Sequence, residues 1–328
     1  MPDNTAAAGS SIEADSEPSP YAVARARVDA VEQITPSFVR IRFSGDSLQE
    51  LGNPGRNFDQ RIKLIFPSPG HGPAPLEGSG DEWYRVWLDL PEHSRGSIRT
   101  YTIRTLELDA DAATRVVVDF ALHPGGGELG PASRWASAAV PGDELLIVGP
   151  RRGSFVGGGI EYDPGDAATV MLAGDETAAP AIASILEDAD RSSRGIAFIE
   201  VPLPADRMEI AAPPGFEVRW LPRNGAAHGS LLIPAVLEQL EFESATVEVE
   251  DSGTADPLWE TPTFSGLGER LDEHLEGPDT VPSERWFWLA GESGVVTTLR
   301  RQLVRELRVD RADVAFMGYW RHGVAMRG

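Results

Sequence analysis

From Tyr21 to about Gly153 the chain carries short β-like runs, Ala22–Val31, Phe38–Phe43, Arg61–Phe66, Trp83–Leu88, Arg99–Leu106, Thr114–Leu122 and Glu144–Val148, divided by Gly, Pro and Asp. Runs of this length, with apolar and polar positions alternating, mark strands that bury one face. Their even spacing predicts a small antiparallel barrel, expected to have six strands and to occupy residues 21–155.

After Ala167 the rhythm changes. Apolar runs at Thr169–Ala173, Gly195–Val201, Glu217–Leu221, Arg285–Ala290 and Val314–Gly318 alternate with helical patterns at Thr177–Asp188, Leu231–Leu240 and Val295–Leu307. That alternation predicts a parallel sheet clothed in helices, an α/β domain over residues 165–323. Two segments stand outside it. Residues 1–20, rich in Ala, Ser, Glu and Pro, cannot bury enough apolar surface to offset the entropy of ordering and are expected to be a disordered tail. Residues 241–283, acidic and broken by Gly and Pro, are expected to form a long surface excursion, partly disordered.

Composition narrows the chemistry. The chain has 328 residues, 41% of them hydrophobic, enough for two cores. It has no cysteine, which excludes disulfides, Cys-ligated zinc, iron–sulfur clusters and thiol nucleophiles, so redox chemistry would need a borrowed cofactor. Acids outnumber bases 51 to 29, a field that repels nucleic acid and anionic membranes. The N-terminal residues lack the basic segment and apolar run of a signal peptide, and no apolar stretch of spanning length follows, so a cytoplasmic monomer without a membrane anchor is expected. The six histidines, at 71, 93, 123, 228, 274 and 322, show no ligand spacing, and no Ser/His/Asp order stands out, so neither a metal site nor a hydrolytic triad is expected.

Three stretches carry candidate chemistry. In RTYTIR, Arg99 to Arg104, strand alternation puts Arg99, Tyr101 and Ile103 on one face and Thr100, Thr102 and Arg104 on the other. An arginine can fork onto a diphosphate, a tyrosine ring can stack on a flat cofactor and a threonine can bond a ring nitrogen, although the hexapeptide alone reads more readily as an exposed arginine and a core tyrosine on an ordinary strand. In DFALHPGGGELGPASRWA, a strand from Asp119 ends near His123, a glycine loop follows, and Gly130, Pro131, Ala132 and Ser133 open a helix whose N–H groups suit a diphosphate; a flexible turn and a plain helix cap read the same residues as well. In LAGDETAAPAI, Gly174, Asp175, Glu176 and Thr177 stand where a parallel strand ends and a helix starts, the position of ligands in open α/β sheets. The acids there also complement the helix dipole without any ligand. LAGESG, with Ala290, Gly291 and Glu292, repeats the arrangement, so two strand ends can line one groove.

In order along the chain, ITPSFVRIRFSG, KLIFP, RTYTIR, DFALH with GPASRWA, GPRRGSF, LAGDETAAPAI, the WLPR run ending at Arg223, WLAGE and GYWRHG make the sequence resemble the siderophore-interacting protein family of FAD-binding ferric-siderophore reductases, over most of residues 21–323. The resemblance implies a ferredoxin-reductase-like fold, an FAD-binding barrel followed by a domain for NADPH or NADH, and a ferric siderophore as substrate. It implies that Arg99, Tyr101 and Thr102 hold the flavin and its diphosphate, with Tyr101 and Thr102 at the reacting ring, and that Ile103, Asp119, His123 and Gly130–Ser133 contribute. The groove of Gly174–Thr177, Ala290–Glu292 and Trp320 would take the nicotinamide donor. Lys63, the sole lysine, is expected with Arg61 and Arg321 to meet an anionic chelate. Glu200 and Arg207 are alternatives for reading the 2′-hydroxyl or 2′-phosphate of the donor. Two departures stand out: Arg61 replaces a histidine usual in the family, and GPR-G carries an extra residue as Arg151–Arg152. A general flavin or ferric-chelate reductase and a non-enzymatic siderophore binder remain alternatives.

Overall fold

The computed structural model describes residues 18–108, 113–122, 130–154, 158–241, 259–260 and 284–323. Residues 1–17, His123 and most of the excursion, including His274, therefore lie outside the described residues.

In the first domain the strands are β1 (Tyr21–Thr35), β2 (Phe38–Ser44), β3 (Arg61–Phe66), β4 (Ser97–Thr102), β5 (Thr105–Leu108), β6 (Thr114–Ala121) and β7 (Glu144–Pro150), with helices α1 (Trp83–Asp89) and α2 (Pro131–Ala138). They form one antiparallel sheet in the order β4-β3-β7-β1-β2-β6-β5. Its edge segments are consecutive in the chain. β4 pairs with β3 and β5 with β6, and between them Ile103 N–H donates to Gln60 O and Arg104 N–H to Val117 O, both at 2.9 Å. The expected strand Arg99–Leu106 thus changes partner at a corner, and the curled sheet meets itself. Counted as one bent strand, β4 and β5 bring the curled, barrel-like sheet to the expected six strands. Ile41, Phe43, Phe66, Phe120, Leu145 and Ile147 fill the interior.

The run Trp83–Leu88, expected as a strand, is instead helical, α1. Its buried and half-buried residues Trp83, Val86, Trp87 and Leu90 recur at helical spacing and cover Ile65, Ile98, Leu146 and Val148 on the outside of the barrel. In so short a run of aromatic and branched residues the two periods are hard to tell apart, and the outer barrel face selects the helix.

The second domain follows as β8 (Thr169–Gly174), α3 (Ala179–Asp188), β9 (Arg194–Val201), β10 (Gly215–Pro222), α4 (Leu232–Gln239), β11 (Trp259–Glu260), β12 (Arg285–Glu292), α5 (Ser293–Arg301) and β13 (Val314–Trp320). A turn of π-helix, Gln302–Glu306, extends α5. The strand order is β10-β9-β8-β12-β13-β11, parallel throughout except for β11, which pairs antiparallel with β13 from within the excursion. α3 covers one face of the sheet, and α4 and α5 cover the other.

The two domains share a core and buried polar ties. Phe38 of the barrel is fully buried among α/β residues. Asp206, also fully buried, accepts from Thr35 Oγ1 at 2.9 Å, Ser37 N at 2.9 Å and Ser37 Oγ at 2.8 Å. Trp288 Nε1 donates to buried Asp59 at 3.0 Å, whose carboxyl burial holds above the usual carboxylate range.

Candidate functional site

β4 and α2 build the barrel side of the site. The ring of Tyr101 lies 4.6 Å from Phe120 and 6.3 Å from Phe66, and Trp135 of α2 lies 5.3 Å from Phe66. This aromatic cluster seats α2 against β4 and brings Gly130–Ser133 beside the RTYTIR strand. Pro131 starts the helix, Gly130 precedes it with no side-chain cap among the described residues, and a Cβ at Gly130 would meet nothing within 4 Å among them. Ala132 and Ser133 are buried. Arg99 is half-buried, its Nη1 donating to Ile98 O at 2.6 Å, and burial holds its guanidinium below the ordinary value. Burial raises the Tyr101 hydroxyl well above its ordinary range, so the phenol stays neutral.

On the outer face of β3, Lys63 stands in register with Thr100 and Arg61 with Thr102. Lys63 Nζ donates to Thr100 Oγ1 at 2.6 Å, and desolvation followed by the charge of Arg61 holds its ammonium below the usual lysine range. Arg61 makes an ion pair with buried Glu161, so its charge is largely spent inside the protein. Arg321 is half-buried just after β13. Of the three basic residues, Arg61 is committed to a partner that spacing does not reveal.

The α/β side lies where the strand order reverses, between β8 and β12, the usual crevice of open parallel sheets. Asp175 knots it together: Oδ1 accepts from Thr177 N at 2.9 Å and Thr177 Oγ1 at 2.6 Å, and Oδ2 from Glu292 N at 2.7 Å and Trp320 Nε1 at 2.8 Å. Burial, then the charge of Glu176, pushes its carboxyl up to about 6. This turn occupies residues 175–177, and α3 consequently starts at Ala179 rather than Thr177. Gly291 has φ +140, and a Cβ there would come within 2.7 Å of the Asp175 carboxylate. Glu176, fully buried, is gripped by Arg223 through two bonds of 2.7 Å. Burial would lower the Arg223 guanidinium, but the bonds and charge of Glu176 outweigh it and hold the group above its ordinary value. Glu292 caps α5 through Val295 N at 3.0 Å and accepts from His322 N at 3.2 Å. A cavity of about 10 Å³, room for one water, is lined by Asp175, Glu200, His228, Glu292, Val295 and Leu299 among others.

Residues 27–154 match the siderophore-interacting FAD-binding domain and residues 167–323 the siderophore-interacting protein model. The chain belongs to the siderophore-interacting protein family. A siderophore utilization protein from T. fusca is 31% identical, with a TM-score of 0.64 and coverage of 94% of this chain and 96% of that one. The NADPH-dependent ferric-chelate reductase of Escherichia coli is 29% identical, covering 88% of this chain and 89% of its own length. The ferric vibriobactin reductase ViuB of Vibrio cholerae is 27% identical, covering 88% and 86%. The architecture is ferredoxin-reductase-like.

Within this family frame the barrel side fits FAD by the chemistry of its donors: the Arg99 guanidinium and the start of α2 for a diphosphate, the Tyr101 ring for a flat heterocycle and Thr102 for its polar edge. Asp119, expected to touch the cofactor, is buried and bound by Arg40 at 2.7 and 2.8 Å, with Arg104 Nε at 3.5 Å. Glu200, weighed as a ribose partner, is fully buried and caps α4, accepting from Gly229, Leu231 and Leu232 N–H at 2.8, 3.0 and 3.1 Å. Arg207 is exposed. The groove residues Gly174–Thr177, Ala290–Glu292 and Trp320 do come together, with Asp175, Glu176 and Glu292 bound to other parts of the protein. Asp175, Glu176 and His228 place ligand atoms within 4.8 Å of one another, a grouping that histidine spacing does not reveal. The carboxylate oxygens are engaged by Thr177, Glu292, Trp320 and Arg223. Sequence reading missed Glu161, Trp135 and the pairing of Arg223; the last two sit inside stretches that had drawn attention, GPASRWA and WLPR.

Proposed function

We propose that this protein is an NAD(P)H-dependent ferric-siderophore reductase acting in the cytoplasm, with electrons passing through FAD to Fe(III) in the chelate. The observation that carries the reading is the pairing, in one body, of a diphosphate-and-ring donor set on the barrel with a switch-point crevice on the α/β domain. Bound FAD would supply the conversion of a two-electron hydride into single electrons. The chain's own part is to bind and orient. Arg99 and the start of α2 would hold the diphosphate, Tyr101 would present a neutral ring face, and Thr102 would donate to the polar edge. Lys63 would attract an anionic chelate despite the net charge of −22, because local charge dominates at contact distance. Reduction loosens the hold of hard oxygen donors on iron, so no protein ligand for the metal is needed. Support also comes from the reductase names of two relatives, and no helix among the described residues is long and apolar enough to cross a membrane.

The test is a two-stage anaerobic assay. NADH or NADPH is expected to bleach the bound flavin, and a ferric siderophore to restore its colour while a ferrous chelator traps iron. Bleaching without ferrous iron from any ferric siderophore would leave a flavin reductase and remove the siderophore; absence of bleaching would remove the enzyme.

A further inference from the structure

The corner where β4 becomes β5 is held on all four backbone polar groups of Ile103 and Arg104, and half of that hold comes from the other domain. The two N–H groups bond within the barrel, to Gln60 O and Val117 O at 2.9 Å. The two carbonyls share one hydroxyl of α3: Ser184 Oγ donates to Ile103 O at 3.3 Å and to Arg104 O at 3.1 Å. Ser184 is 3% exposed, so water does not compete for the bond. One turn further along α3, Glu187 receives both arms of the Arg104 guanidinium at 2.6 Å. Its neighbour Asp188 accepts from Asn57 N at 2.6 Å and Phe58 N at 2.8 Å. Phe58 has φ 45, a left-handed conformation that a bulky residue keeps only when its surroundings enforce it. That turn delivers Gln60, whose carbonyl holds Ile103. Ser184, Glu187 and Asp188 stand at i, i+3 and i+4 on one face of the helix.

We propose that this polar face of α3 positions the flavin-binding strand. Regular pairing between β3 and β4 ends at Arg61 and Thr102; beyond it, without the Ser184 hydroxyl, the carbonyls of Ile103 and Arg104 would lose their donor and the strand end carrying Tyr101 and Thr102 would be free to shift. Ser184, Glu187 and Asp188 are positioning residues that need touch no flavin. The same helix begins just after the Asp175–Thr177 turn in the crevice, so about 15 Å of rigid rod joins the two halves of the site. The inference rests on the FAD reading given above and adds that FAD retention depends on the α/β domain.

The experiment compares the full-length wild type, the double variant Ser184→Ala/Glu187→Ala and Asp190→Asn, which breaks the exposed pair of Arg56 with Asp190 at the same interface but leaves the corner alone. FAD is titrated into apoprotein by fluorescence, and visible circular dichroism of the bound flavin is recorded. The double variant is expected to bind FAD about tenfold more weakly, with an altered visible dichroism, as follows when buried carbonyls lose their donor. Asp190→Asn should match the wild type. If the double variant does not fold, Ser184→Ala alone is expected to move both readouts in the same direction. A folded variant with wild-type FAD affinity and an unchanged flavin spectrum overturns the inference, as does an equal loss in Asp190→Asn. A wild-type protein that takes up no FAD overturns the functional reading first, and the inference with it.

Discussion

Arg99 and Asp175 show how differently two charged residues of one site are used. Arg99 is half-buried at the barrel surface, where a guanidinium is costly to desolvate. A diphosphate would offset that cost with charged hydrogen bonds contributing about 1.5–3 kcal/mol. Arg99→Ala is therefore expected to weaken FAD binding by roughly tenfold or more while the apoprotein keeps its thermal midpoint; unchanged affinity in a flavin titration would remove Arg99 from the site. Asp175 works inward. Its folded value of about 6 lies above the ordinary aspartate range, so the folded state holds the proton more tightly than the unfolded chain. The stability this adds is present at low pH and is lost as pH rises through about 6. Asn at this position does not titrate and presents donors toward Glu292 N–H and Trp320 Nε1. Asp175→Asn should thus be destabilised at every pH, and the gap to wild type should narrow by on the order of 1 kcal/mol between pH 5 and pH 8 in urea unfolding. A gap that widens over that range would reverse the sign of the argument.

At the scale of the element, strand ends rather than strand bodies carry the site. The pairing of β8 with β12 ends at Gly174 and Ala290, and beyond that pair the backbone must leave room for a carboxylate. Gly291 makes that room, since any Cβ would press on Asp175 at 2.7 Å and φ +140 strains every other residue. Gly291→Ala is expected to cost about 1–3 kcal/mol from the backbone alone, and more from the contact. Chemical denaturation measures it directly, and a loss below about 0.5 kcal/mol would show that the turn relaxes without penalty. α1 teaches the converse. Its aromatic residues suit a strand, but their burial at helical spacing over the outer barrel face decides the element.

For the whole molecule, the interface between barrel and α/β domain resembles a core more than a hinge. Phe38 is buried across it, Asp206 and Asp59 are buried carboxylates bonded across it, and α3 grips the corner of β4 and β5. Buried acids left unpaired by separation would each carry a large desolvation cost. Calorimetry of the apoprotein is accordingly expected to show one cooperative transition for both domains. Two resolved transitions would mean that each core stands alone and that the polar ties are incidental.

Domain order, the barrel and the α/β rhythm are determined by the sequence itself, because alternation and helical spacing are local properties that a strand or helix imposes on its own residues. The placement of RTYTIR on a strand and of GPASRWA at a helix start is legible for the same reason. Partner choice is not. Arg61 finds Glu161 across 100 positions, Arg104 finds Glu187 across 83 and Arg223 finds Glu176 across 47. Asp119 and Glu200, plausible cofactor groups by position, are taken by Arg40 and by the start of α4. Which charge meets which ligand depends on where the barrel closes and how the two sheets are joined, and a buried charge goes to whichever partner that geometry brings within reach. Only the tertiary structure decides that.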